Sequence, residues 1–104
     1  MTLQQIRDLL ASSSVDDALL EQKVKQAKHF VHQNFPSHTS AFDQVAIEPS
    51  QIENNFVWPG GSKSEFDLFV QNSVEAQRQN IESHRLMAVA FLDALLKTDI
   101  GRKP

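Results

Sequence analysis

A chain of 104 residues and 11.7 kDa, 40% hydrophobic and 22% charged, has the size and make-up of one soluble domain with a single modest core. It contains no cysteine, which excludes a disulfide framework, a thiolate nucleophile and a cysteine-bearing zinc site. The net charge of −3 comes entirely from Asp43, Glu48 and Glu53 within 36–62, because residues 1–35 and 63–104 each balance; no basic face for phosphate is present, which excludes nucleic acid as a partner.

The first helix is predicted over about 3–11. Thr2-Leu-Gln-Gln5 has the form of a capping box, in which a hydroxyl and a side-chain amide satisfy each other's early backbone donors. Leu3, Ile6, Leu9 and Leu10 then share one face. The same signature recurs at Ser14-Val-Asp-Asp17 and predicts a second helix over about 15–34, stopped because Pro36 disfavours helical geometry at Phe35. Leu20, Val24, Ala27 and Val31 give it an apolar stripe, widened by Leu19 and Phe30. Glu21, Lys25, Lys28, His29 and His32 fall on the opposite face, with Glu21 four residues before Lys25.

Residues 36–62 show no sustained period. Ser40 to Ala46 and Ser50 to Asn54 are each expected to form a short helical turn inside an otherwise irregular connection. Phe42, Val45, Ile47, Ile52, Phe56, Val57 and Trp58 nevertheless need burial. The stretch Val57-Trp58-Pro59-Gly60-Gly61 ends the connection and turns the chain, with Trp58 expected to pack on the end of the bundle. Ser62-Lys-Ser-Glu65 then caps a third main helix. From Phe66 to Leu95 one helical phase is kept, and no glycine or proline intervenes between Gly61 and Gly101. The prediction is a helix over about 63–98, either continuous or broken near 80 where the stripe turns polar, and ended by Gly101. The fold expected is all-α: one bundle of three main helices, forming a single domain.

The functional signals are sparse. His29, His32 and His38 lie close in sequence but offer three ligands at most, and Lys25 and Lys28 beside them repel a cation; neither a metal nor another cofactor is expected. A glycine-rich phosphate loop, an activated-serine turn and paired carboxylates on an apolar wall are all missing, so an enzyme is not expected. The start, Met-Thr-Leu-Gln-Gln-Ile-Arg-Asp, lacks the basic and apolar regions of a signal peptide. The run Leu86 to Leu96 is interrupted by Asp93 and shorter than the roughly 18 residues of a membrane span. The expected setting is the cytoplasm, with no membrane contact.

Two short segments resemble known families. Glu82-Ser-His84-Arg-Leu86-Met-Ala88 resembles the phosphoacceptor segment of histidine phosphotransfer domains, which are four-helix bundles of similar size. Leu86 and the small Ala88 fit that pattern, while Met87 stands where the family has a lysine that neutralises phosphate. The resemblance implies a signalling protein that carries phosphate on His84. Read from its place in the stripe alone, His84 is expected to be partly buried and hydrogen-bonded. Trp58-Pro59-Gly60 is similar to the Trp-x-Gly turn of small secreted helical-hairpin proteins. In that family the turn joins two long helices directly and export needs a tyrosine, whereas here a connection precedes the turn and tyrosine is absent.

The apolar residues carry the main reading. Leu86 to Leu96 is apolar on nearly every face, and two shorter helices cannot cover a helix approaching 50 Å. A homodimer is expected, with Leu86, Met87, Ala90, Phe91 and Ala94 at its interface. The acidic connection, with Phe42, Ile47, Ile52, Phe56 and Trp58, is expected either to cap the bundle or to dock an unidentified protein partner. The function expected is that of a small interaction or adaptor module.

Overall fold

The computed structural model describes the backbone of residues 1–52 and 58–102, and side chains up to residue 98 within those stretches. These residues form four helices and no strand: α1 (Leu3–Ala11), α2 (Leu20–Asn34), α3 (Thr39–Val45) and α4 (Lys63–Arg102), with single 3-10 turns at Pro36–His38 and Pro49–Gln51. The all-α expectation is met, and the predicted turn at Ser40 to Ala46 is α3.

Local chemistry explains most boundaries. Thr2 Oγ1 accepts from the Gln5 N–H at 3.1 Å while Gln5 Oε1 accepts from the Thr2 N–H at 2.8 Å, so the first capping box is complete. The second is not formed, and α2 begins at Leu20 rather than 15. Asp17 is the cause. Its N–H donates to the Ser14 carbonyl at 3.1 Å, and its carboxylate accepts from the Leu19 N–H at 2.8 Å and pairs with Lys23. These bonds close a turn over 14–17, and an Asx-type turn then starts the helix five residues late. Beyond Asn34, Phe35 donates to Val31 at 2.7 Å and Pro36 prevents continuation, as predicted.

Gly60 and Gly61 take φ of +99° and +143°, which L side chains rarely adopt, and a Cβ on Gly61 would run into the Glu65 carboxylate. Ser62 Oγ accepts from the Glu65 N–H at 3.2 Å and opens α4. No break occurs near 80, and Gly101 lies inside the helix rather than ending it. The polar middle is held by side-chain bonds instead: Arg78 reaches Asp16 at 3.0 Å, and Arg85 donates to the Leu10 and Ala11 carbonyls at 2.9 and 3.2 Å. A single glycine costs a helix only about 1 kcal/mol.

The core gathers on the C-terminal half of α4. Ile6 and Leu10 of α1, Val24, Ala27 and Val31 of α2, and Phe42 of α3 enclose Ala88, Leu92 and Leu95. Arg7, midway along α1, bonds Asp93 at 2.7 Å and Arg85 caps the C-terminal end of α1, so α1 runs antiparallel to α4. The first half of α4 extends beyond the bundle as an arm. The molecule is 65 × 23 × 20 Å with a radius of gyration of 17.1 Å, against roughly 13 Å for a compact domain of this length.

Candidate protein-interaction surface

The helical repeat places Leu86, Met87, Ala90 and Ala94 on the side of α4 that faces away from Ala88, Val89, Leu92 and Leu95. All four are exposed, Leu86 at 52% and Met87 at 42%. Phe91 stands at the margin, half-buried, with its ring edge-on to Phe42 at 5.3 Å and to His38 at 6.1 Å. His38, Phe91, Ala94 and Thr98 line an open groove beside this outer face. Of the five residues expected at a dimer interface, four thus form one bare surface, while the Phe91 ring turns toward the core.

A second bare surface lies on the arm. Phe66, Val70 and Val74 share the angular position of Ile81, Ala88 and Leu95, so they continue the core-facing stripe past the point where α1 and α2 end. They are 44%, 42% and 54% exposed. Trp58 does not pack on the end of the bundle as expected. Its ring lies 5.2 Å from Phe66, edge-on, and 5.2 Å from Phe69, so it braces the tip of the arm. Farther in, Gln77 Nε2 donates to the Ile52 carbonyl at 3.3 Å.

The other connection residues separate. Phe42 is wholly buried and is core, so it meets no partner while the bundle stays closed. Ile47 and Ile52 are half-buried, and Phe56 lies outside the described residues. The acidic groups of this segment are not bare either. Asp43 bonds His32 Nε2 at 2.8 Å and Glu48 pairs with Lys28 at 3.6 Å; Glu53 lies outside the described residues. The basic face of α2 supplies the opposite charges that the local sequence lacks, which removes the expected acidic steering surface from Asp43 and Glu48.

Carboxylates elsewhere are tuned by the same cross-links. Arg85 holds Glu82 below its ordinary value through a charge-assisted hydrogen bond, and the hydroxyl and N–H of Ser50 do the same to Glu21. Lys23, with the Leu19 N–H, lowers Asp17. These groups fasten the bundle; Glu82 stands one turn before Leu86 at the margin of the outer face, while Glu21 and Asp17 lie apart from both bare surfaces.

His84 is half-buried in a tight recess with Leu20, Val24, Ile47 and Ala88. The hydrogen bond expected for it is not made at Nδ1, which is buried without a partner among the described residues. His29 is exposed, and no three histidine or carboxylate groups gather around a metal-sized space among the described residues. None of the described helices is long and apolar enough to cross a membrane. The arm as a separate projecting surface was not foreseen, although the excess length of α4 over its neighbours is the signal that announces it.

No protein-family model, no curated protein and no solved structure matches this chain.

Proposed function

We propose that the protein is a non-enzymatic helical interaction module that pairs with a second copy of itself through the outer face of α4 and presents its arm to another protein. The observation that carries this reading is the run of Leu86, Met87, Ala90 and Ala94, bare on the back of a helix whose front is core. Contiguous apolar surface of this kind marks contact sites in soluble proteins, and symmetric pairs are the commonest way of covering it. The arm suits a different occupant. Phe66, Val70 and Val74 form a stripe at intervals of one turn, bordered by Asp67, and the apolar face of an amphipathic helix complements it. The setting we assign is the cytoplasm, in keeping with the absence of cysteine.

Sedimentation equilibrium at micromolar concentration tests the pairing. The unmodified chain should be dimeric, Met87→Glu should be shifted strongly toward the 11.7 kDa monomer, and Gln79→Glu should behave as the parent. Burying an unpaired carboxylate costs several kcal/mol, whereas one left in solvent costs little. Equal effects of the two substitutions would contradict the reading.

A further inference from the structure

We infer that the second copy lies antiparallel across the outer face of α4, with the two-fold axis passing at Ala90. This rests on the dimeric reading above and adds its geometry. Leu86, Ala90 and Ala94 stand in line at intervals of one turn, with Met87 beside them toward the groove at His38. In a two-fold antiparallel pair, a residue a given number of positions before the axis lies level with the residue that many positions after it on the partner. An axis at Ala90 sets the smallest side chain of the face against itself at the closest approach, where packed helices lie 8–10 Å apart. Leu86 then stands over the hole between Ala90, Asp93, Ala94 and Lys97 of the partner subunit, and two alanines make that hole deep enough for a leucine. Met87 comes level with Asp93 of the partner subunit and falls on the flank next to Ala94 of the partner subunit, toward the groove at its side.

Charge and size both select this arrangement. Lys97 comes level with Ser83 and beside Glu82 of the partner subunit, a carboxylate that Arg85 also binds within each chain, so Lys97 meets an acidic group rather than its own like. A parallel pairing instead sets Lys97 against Lys97, Leu86 against Leu86, and leaves a gap between the two Ala94 residues. Moving the antiparallel axis one turn back opposes the two Leu86 side chains and puts Ala90 against Glu82. The molecule also carries surface to spare. Its accessible area is 6759 Å², about 900 Å² above the roughly 5,900 Å² of a folded monomer of its mass, an excess to which the projecting arm also contributes. One partner's share of a standard interface is about 800 Å².

The chain has no cysteine of its own, so introduced cysteines report the register directly. Oxidised Ala90→Cys should become a covalent dimer of twice 11.7 kDa. Leu86→Cys and Ala94→Cys should each stay uncrosslinked alone, because four residues on either side of the axis separate like positions by about 12 Å, beyond the roughly 7 Å that a disulfide spans. Mixed under reducing conditions and then oxidised, those two variants should crosslink to each other. The unmodified chain is weighed by sedimentation equilibrium alongside. A dimer whose Ala90→Cys variant does not crosslink, or whose Leu86→Cys and Ala94→Cys variants crosslink alone, overturns the antiparallel register and leaves the dimeric reading standing. A chain that sediments only as monomer overturns both.

Discussion

Arg85 and Phe42 each join parts of the chain that are distant in sequence. Arg85 donates to two carbonyls at the C-terminus of α1, where a cation meets the negative end of the helix, and its other nitrogens bind Glu82. Phe42 projects from a seven-residue helix into the centre of the core, against Phe91. Trp58 is larger, yet it is only half-buried and touches the arm rather than the core. Phe42→Ala should therefore cost about 3–5 kcal/mol in urea unfolding, through lost transfer energy and the cavity left behind. Trp58→Ala should cost roughly 1–2 kcal/mol, the scale of two partly exposed aromatic contacts. The reverse order of losses would contradict the placement of these rings. The capping box at Thr2 was legible because all its partners lie within four residues. The role of Asp17 was not, because Ser14 and Asp17 spell a capping box just as well, and only the closed turn over 14–17, with the carboxylate engaged by the Leu19 N–H and Lys23, shows otherwise. Arg85 gave no signal, since its carbonyl partners are 74 and 75 positions away.

At the scale of elements, α4 combines two environments in one helix. Its C-terminal half has helices packed along it, and its N-terminal half has Trp58 and little else among the described residues. The periodic spacing from Phe66 to Leu95 made a single helix readable in advance. Which part of the stripe would be covered was not readable, because coverage depends on where α1 and α2 end, and α2 starts five residues later than its sequence signature implies. Amide hydrogen exchange should divide the helix accordingly. Amides over 85–96 should exchange slowly, through opening of the whole bundle, and those over 64–76 faster by orders of magnitude through local fraying. Amides of 42–46 should be slow as well, since α3 is core rather than a mobile docking segment. Uniform protection along α4 in the free protein would show that something already covers the arm.

At the scale of the whole molecule, the elongated form follows from one helix of 40 residues carrying a bundle built from helices of 9, 15 and 7. Length and stripe together predicted that such a helix cannot bury both its faces within one chain. What composition and period did not specify is that the uncovered surface divides in two, an outer face of leucine, methionine and alanine on the bundle and a core-like stripe on the arm. That division follows from the antiparallel seating of α1, fixed by Arg7 with Asp93 and Arg85 with Leu10. In the proposed antiparallel pair it would set two bundles back to back, with arms pointing in opposite directions. The central claim is that this outer face is covered by a second copy. Small-angle scattering on the unmodified chain tests it most directly, because one measurement reports mass and shape. The account predicts a forward scattering that corresponds to twice 11.7 kDa and a radius of gyration well above the 17.1 Å of one chain. A mass of 11.7 kDa with a radius near 17.1 Å across the micromolar range would contradict it.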